Sequence, residues 1–261
     1  MSVKLHANLT EVDQREFADI VYQVMACVFA MHNELGRFFD ESIYKRELSR
    51  RLPAVELEVP LDVEFEPFRK RYFLDALVAG CAILEFKAVA ALTDRHRSQL
   101  LQYLLLCELP HGKLINLRPE SVEHEFVNCP LKRSDRTRFH LDDSAWQDFD
   151  DRGLLRWFQG LLRELGTGLD VSLYEEAAAQ FLGGSETVEH EVEVVSAGST
   201  IGRQRFRLVG SGVALRSRRS ISVWQSLNCM LASSCRTRHC MRFNGSMSLA
   251  TKSYSELSAG E

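Results

Sequence analysis

The spacing of apolar residues changes period along the first hundred residues, and this change limits the chain to folds that combine helices with a sheet. Across residues 17–35 the apolar side chains recur at steps of three and four, which is typical of an amphipathic helix. Gly36 suits the C-terminal cap of that helix. A second short helix is predicted over residues 40–52, before Pro53.

Strand periodicity follows the second helix. Residues 55–59 and 63–65 alternate between apolar and polar, and residues 72–78 and 81–86 indicate two further strands joined by a turn at Ala79-Gly80. We predict that these four strands form an antiparallel meander. Thr93 is a candidate N-cap for a longer helix, and a last short strand is predicted over residues 113–117. The predicted order is therefore helix, strands, helix, strand.

The second half of the chain resembles the first at a constant offset of 130 residues. Leu35-Gly36, Asp40, Ser42 and Tyr44 fall on Leu165-Gly166, Asp170, Ser172 and Tyr174. We predict a first domain over residues 1–130, a linker over 131–144, a degenerate second copy over 145–215 and an irregular Ser- and Arg-rich tail over 216–261. Chance agreement between two amphipathic helices is the alternative.

Composition and charge limit the classes of protein to which the chain can belong. A net charge of −4 argues against bulk electrostatic binding of nucleic acid, so any such contact is expected to be local. No apolar run is long enough to cross a membrane, and the acidic start differs from a signal peptide, so a cytoplasmic protein with reduced cysteines is expected. The spacing of Cys229, Cys235, His239 and Cys240 does not fit a known iron-sulfur run.

Three charged residues carry the predicted chemistry. Nine residues separate Asp75 from Glu85-Phe86-Lys87, and strand geometry points Glu85 and Lys87 to the same face. Two carboxyl groups on adjacent strands repel each other unless a hard cation such as Mg²⁺ or Mn²⁺ lies between them. A metal beside an ammonium group suits hydrolysis of a phosphodiester. The alternative is a solvated strand end, because an E-x-K pair alone is common.

These residues resemble the D-x(n)-E-x-K core of the PD-(D/E)XK nuclease superfamily. Residues 17–128 are more closely similar to the GxxExxY proteins, although Phe38 stands where that motif has glycine. Gly168 restores the glycine in the second copy, where Val171 replaces Glu41. The resemblance implies an α/β, restriction-endonuclease-like core of a mixed central sheet flanked by helices. The matching stretches are 32–36, 40–44, 74–75, 84–89, 99–104 and 114–116.

The resemblance also implies roles for individual residues. It assigns metal binding to Asp75, Glu85 and the backbone carbonyl of Phe86, and an electrostatic role in catalysis to Lys87. Glu41 is expected as a further metal or water ligand, although pairing with the helix dipole is equally compatible with its position. Gln99 and Tyr103 lie on one helix face and match a Q-x-x-x-Y element, in which Gln99 would orient Lys87 or a phosphate oxygen.

Arg95 and Arg97 are candidate contacts to the phosphate backbone, together with Tyr103 as a substrate-binding residue. His32 is expected to be a satisfied core histidine outside the metal set. The sequence thus predicts a Mg²⁺-dependent nuclease with DNA as the expected partner, while the choice between DNA and RNA stays open. The alternative is a catalytically inactive module that binds nucleic acid or protein on the same scaffold.

Overall fold

The computed structural model describes residues 2–141, 153–196, 199–207, 213–218 and 248–253. The chain divides into two compact units. The first comprises Met1–Val63 and Lys70–Arg133, and the second comprises Glu64–Arg69 and Ser134–Glu261. The boundary in the middle of the chain therefore falls after Arg133, within the region where the sequence predicts a linker.

The first unit is built from a mixed sheet and three main helices. Its helices are α1 (Gln14–Leu35), α2 (Glu41–Arg51) and α3 (Asp94–Cys107). Its strands are β1 (Val3–Leu5), β2 (Val55–Phe65), β3 (Phe68–Val78), β4 (Ala82–Lys87), β5 (His111–Asn116) and β6 (Glu123–Asn128). The ends of β2 and β3 within residues 64–69 belong to the second unit. The six strands lie in sequence order in one sheet, and the predicted α/β class is confirmed.

The sheet is mixed because one pair of strands is parallel. β4 pairs with β5 in parallel, and α3 provides the crossover between them, as a parallel connection requires. The pairs β1–β2, β3–β4 and β5–β6 are antiparallel. This arrangement places β4, which carries Glu85 and Lys87, between β3 and β5 in the middle of the sheet.

Side chains from α1, α2 and one face of the sheet form a continuous core. Val28 and Met31 of α1, Tyr44 of α2 and Phe86 of β4 are fully buried in it. Helix α3 packs closely on β5, because a Cβ atom on Gly112 would lie only 2.9 Å from the Cδ1 atom of Leu100. This close approach explains why glycine stands at that position.

Some boundaries in the first unit differ from the sequence prediction. The predicted strands 55–59 and 63–65 are one continuous strand, β2, in which Glu58 has a φ of 51°. The prediction left out residues 60–62, although Leu61 continues the alternation between Val59 and Val63. β1 and β6 were not predicted, because short or half-exposed strands carry little apolar signal.

The second unit contains two helices longer than one turn within the described residues. These are α5 (Leu154–Leu165) and α6 (Val171–Phe181), flanked by the single-turn helices α4 (Arg133–Arg136), whose first residue still belongs to the first unit, and α7 (Ser185–Val188). The antiparallel pair β7 (Glu189–Ser196) and β8 (Ser199–Arg207) follows. Phe158, Leu161, Leu173 and Tyr174 form a buried cluster between the helices.

The region predicted as an irregular tail contains regular structure. β9 (Val213–Arg218) pairs antiparallel with β10 (Ser248–Ser253). The start of the helix predicted from Trp146 lies outside the described residues, as do Cys229, Cys235, His239 and Cys240; the described part of that helix begins at Leu154.

The turn between the two helices has the same geometry in both units. Gly36 and Gly166 have φ values of 76° and 77°, and each backbone N–H donates to the carbonyl oxygen four residues earlier at 2.9 Å. Tyr44 and Tyr174 each donate a hydroxyl hydrogen bond of 2.6 Å to the carbonyl oxygen of that glycine. The bounds of α2 and α6 coincide at the offset of 130 residues.

Candidate active site

Asp75 and Glu85 are neighbours because the β3–β4 ladder ends beside them. The last pair of the ladder is Ala76 with Leu84, so the next residue on each strand is one of the two acids. The backbone N–H of Phe86 donates to Asp75 Oδ2 at 2.9 Å, so a side chain continues the pairing where the backbone ladder stops. The local end of the pairing therefore brings the two carboxyl groups together.

Glu85 is the most deeply buried acid of the site. The residue is 0% exposed, and its Oε2 atom has no hydrogen-bond partner in the described part of the chain. Burial, followed by the charge of Asp75, raises the pKa of Glu85 to about 7, although the ammonium of Lys87 opposes the shift. A buried carboxyl group with an unpartnered oxygen is costly without a cation.

Lys87 lies two residues after Glu85 on β4, and Glu41 approaches the end of the same strand from α2. Lys87 Nζ donates to Glu85 Oε1 at 2.5 Å. Glu41, in the first turn of α2, accepts a 3.0 Å hydrogen bond from the backbone N–H of Ala88, which follows Lys87. The charge of Glu41 also contributes to the raised pKa of Glu85. The carboxyl groups of Glu41 and Asp75 are therefore both close enough to Glu85 to affect its protonation.

Lys45 joins the site from α2 and was not predicted as part of its centre. Its Nζ atom donates to Asp75 Oδ1 at 2.8 Å and also contacts the carboxylate of Glu58. The residue is buried. Burial lowers the pKa of Lys45, but the hydrogen bonds to Asp75 and Glu58 outweigh it and leave the pKa raised, so the amine is a cation. Both oxygens of Asp75 are therefore occupied by donors of this chain.

The residues predicted on α3 are only partly directed to the centre. Gln99 donates to the hydroxyl of Tyr103 at 3.2 Å, and the described residues show no hydrogen bond between Gln99 and Lys87. Tyr103 is buried against Tyr72, and burial raises its pKa to about 12. The spacing correctly placed Gln99 and Tyr103 on one helix face, but Gln99 orients the tyrosine.

The two arginines of the first turn of α3 differ in their surroundings. Arg95 is exposed. Arg97 pairs with Asp94 at 2.9 Å and with Glu125 at 2.7 Å, so its guanidinium is already engaged. His96 lies between them in sequence, and the pKa of its imidazole is lowered by burial and by the charge of Lys87. Because the charge of Lys87 affects this pKa, His96 lies near the site, although it was not predicted there.

The hydrogen bond of His32 goes to the backbone. Its Nε2 atom is 3.2 Å from the carbonyl oxygen of Leu117, and the residue is buried in the core. This arrangement confirms the expectation of a satisfied core histidine.

The carboxylate oxygens of the site are ligands that suit a hard divalent cation, but their positions in this structure do not form a complete metal site. Glu85 offers an unpartnered buried oxygen, and Asp75 is the adjacent carboxylate. However, within the described residues no three His, Cys, Asp or Glu side chains are grouped closely enough to hold a metal. Lys45 accounts for part of this difference, because its ammonium lies against Asp75, the predicted metal ligand.

The signal for Lys45 was present in the sequence but could not be used. The residue stands one position after Tyr44 on a charged helix, among several other basic residues. Its contact with Asp75 joins positions 30 residues apart, which helical spacing cannot reveal. Only the packing of α2 against the sheet separates Lys45 from its exposed neighbours.

Comparison with known proteins supports a nuclease-like scaffold for the first unit. Residues 18–128 match the family model of the PD-(D/E)XK nuclease superfamily, whose nucleases typically use divalent metals. This match includes all the predicted site residues. The finer resemblance to GxxExxY proteins stays a prediction.

A search of curated proteins gave no match. Among solved structures, the chain is similar to "Crystal structure of SSO0001", with 16% sequence identity and a TM-score of 0.29. The similar region covers 46% of this chain and 61% of that chain, so it spans less than two thirds of the solved protein. None of the helices among the described residues is long and apolar enough to span a membrane.

Proposed function

We propose that the first unit is a divalent-metal-dependent phosphodiesterase that acts as a nuclease on nucleic acid, with DNA as the expected substrate. The observation that carries the proposal is the buried Glu85, whose Oε2 atom lacks a partner beside a second carboxylate. A purely structural Glu85 would have both oxygens satisfied or would be replaced by an apolar residue, since its neighbours on β4 are apolar.

Asp75, Glu85 and the backbone carbonyl of Phe86 would hold the metal. When bound, Mg²⁺ or Mn²⁺ would polarise the phosphate and lower the pKa of a coordinated water molecule. Lys87 keeps its ammonium against Glu85, where it can stabilise the negative charge that develops on the phosphate. Glu41 is fixed by the Ala88 N–H, and its second oxygen can orient a water molecule or complete the ligand set.

The substrate is expected to approach along the first turn of α3. Arg95 is exposed there and can contact a phosphate of the backbone. Arg97 would have to leave Asp94 or Glu125 to do the same, so Arg95 is the stronger candidate. The role proposed for Gln99 becomes indirect, because it holds the hydroxyl of Tyr103, and Tyr103 can reach the substrate only with its polar end.

A non-catalytic binding module is the second candidate function. The observation that favours it is the occupation of Asp75 by Lys45 and Phe86, which leaves no ready group of three ligands in the described residues. The same scaffold could then bind nucleic acid or protein without turnover. The two candidates differ in whether a divalent cation binds at all.

We further infer that residues 145–215 are a degenerate copy of the first domain. The identical cap geometry at Gly36 and Gly166 and the matching bounds of α2 and α6 support this inference. At the same offset, Val171, Arg205, Leu215 and Ser217 take the places of Glu41, Asp75, Glu85 and Lys87. At these four positions the second unit therefore lacks the acids and the lysine proposed for the first.

Calorimetry with Mn²⁺ combined with a nuclease assay tests the proposed function. The wild type and Glu56→Gln, an exposed acid on β2, should bind Mn²⁺ and cleave DNA only in its presence, whereas Glu85→Gln should do neither. Binding of DNA without Mn²⁺ binding or cleavage in the wild type would favour the non-catalytic module.

A further inference from the structure

Lys45 is a buried cation in the place where a nuclease of this type needs its metal. Its Nζ atom lies 2.8 Å from Asp75 Oδ1 and also contacts the carboxylate of Glu58. Four carboxyl groups, of Glu41, Glu58, Asp75 and Glu85, share this region with two ammonium groups, of Lys45 and Lys87. The region thus holds an excess of acidic groups that one divalent cation would balance.

The two acidic partners of Lys45, Asp75 and Glu58, differ in exposure, and this difference would let Lys45 release Asp75 while it keeps Glu58. The side chain of Asp75 is 15% exposed and is fixed on its other oxygen by the Phe86 N–H, whereas the side chain of Glu58 is 55% exposed. Glu58 also has a φ of 51°, in the left-handed region that a residue other than glycine seldom adopts. Such a conformation persists only where its surroundings hold it, so the backbone at Glu58 is constrained while its side chain contacts Lys45.

We propose that the Lys45 ammonium is an internal cation that pairs with Asp75 in the metal-free protein and leaves Asp75, while it keeps its contact with Glu58, when a divalent cation binds. The inference rests on the proposed function, since it takes Asp75 as a metal ligand. Lys45 then competes with the metal for one oxygen, Asp75 Oδ1. Glu58 reduces the free energy needed to displace Lys45 from Asp75, because it remains as a partner for the ammonium.

This exchange predicts an order of metal affinities. Removing the ammonium removes the competitor, so Lys45→Met should bind Mn²⁺ about tenfold more tightly than the wild type, a size usual for coupling between two binding events. Removing the charge of Glu58 leaves the displaced ammonium without a partner, so Glu58→Gln should bind more weakly. In the Lys45→Met background the Glu58→Gln change should have no effect, because there is no ammonium left to receive.

The experiment is Mn²⁺ titration calorimetry on purified full-length variants, with melting temperature as a second readout. Lys45→Gln removes the charge but keeps a hydrogen-bond donor, and it serves if Lys45→Met does not fold. Arg46→Met, the next residue on α2 and exposed, is the matched control. Lys45→Met should melt at a lower temperature without metal, and Mn²⁺ should raise its melting temperature more than that of the wild type.

Four results would overturn the inference. Unchanged or weaker Mn²⁺ binding in both Lys45 variants would show that Lys45 does not compete with the metal. Equal weakening by Glu58→Gln in both backgrounds would make Glu58 itself a ligand. If neither the wild type nor any Lys45 variant binds Mn²⁺, the inference and the proposed function both fail. Binding in the wild type that Glu85→Gln abolishes but Lys45→Met leaves unchanged defeats the inference alone.

Discussion

The two units share a helical turn but differ in the residues that could perform chemistry. In both, a glycine with positive φ ends one helix, an aspartate begins the next, and a buried tyrosine donates to the carbonyl oxygen of that glycine. The first unit surrounds this turn with carboxyl and ammonium groups. The equivalent positions of the second unit hold Val171, Glu175, Val188, Arg205, Leu215 and Ser217.

This difference shows that the turn and the site depend on separate sets of residues. The turn is fixed by local hydrogen bonds over nine residues, so it can persist without any function. The site depends on contacts between α2, β2, β3 and β4, among which Lys45 to Asp75 spans 30 residues. Loss of one partner from such a cluster leaves the others unbalanced, which favours the loss of all of them.

The largest expected effect is the difference between mutating the acids of the first unit and mutating Arg205, which lies 130 residues after Asp75. Asp75→Ala and Glu85→Ala should each abolish Mn²⁺ binding and DNA cleavage, whereas Arg205→Ala should change neither. Without metal, Asp75→Ala should lower the melting temperature because Lys45 and the Phe86 N–H lose their acceptor. Glu85→Ala should leave it unchanged or raise it. Calorimetry and thermal melting measure this difference. An equal loss of Mn²⁺ binding in Arg205→Ala would contradict it.

The next effect concerns turnover with the metal retained. Lys87→Ala should reduce the cleavage rate roughly a hundredfold, the usual loss for one electrostatic group, while Mn²⁺ affinity stays close to that of the wild type. Lys4→Ala, an exposed lysine on β1, is the control for the loss of one positive charge. Single-turnover cleavage at saturating Mn²⁺ measures the rate. Full activity in Lys87→Ala would remove its assigned role.

The buried acid should also give the metal-free protein an unusual pH dependence. Because the pKa of Glu85 is raised to about 7, the folded state keeps a proton that the unfolded chain releases near pH 4.5. The folded state then binds more protons between these pH values, so the free energy of unfolding should fall by about 3 kcal/mol as pH rises through this window. Urea unfolding at several pH values measures it, and Glu85→Gln should remove the decrease.

The smallest effect tests what the units have in common. Tyr44→Phe and Tyr174→Phe each delete one 2.6 Å hydrogen bond to a glycine carbonyl oxygen, so each should cost about 1 kcal/mol of stability. Both tyrosines are fully buried, which makes the pair well matched. Thermal unfolding gives the two values. Metal binding should weaken only in Tyr44→Phe, because α2 carries Glu41 and Lys45, and a large difference in stability would undermine the structural likeness.

Local patterns predicted much of this architecture. The helical periods, the glycine cap and the candidate N-cap Thr93 gave the helices within a few residues, because these signals act over one or two turns. Strand alternation also gave the shared face of Glu85 and Lys87. The prediction split β2 in two by leaving out residues 60–62, although apolar residues stand at every second position from Val55 to Phe65. β6 was missed because its residues are half-buried or exposed.

The site was less accessible to prediction where it depends on distant contacts. The spacing of Asp75, Glu85 and Lys87 is a motif, so these residues could be named. Lys45 could not be separated from other basic residues of α2, since burial and the two acidic partners distinguish it only in three dimensions. The orientation of Gln99 towards Tyr103 was missed for the same reason.

Anomalous diffraction at the manganese edge, from crystals of the full chain soaked in Mn²⁺, tests the central claim most directly. The account predicts a peak beside Asp75 and Glu85, with Lys45 Nζ displaced from Asp75 but still in contact with Glu58, and no peak at Arg205 in the second unit. A fully loaded crystal with no manganese at Asp75 and Glu85, and with Lys45 still bound to Asp75, would contradict the assignment of a metal-dependent site to the first unit.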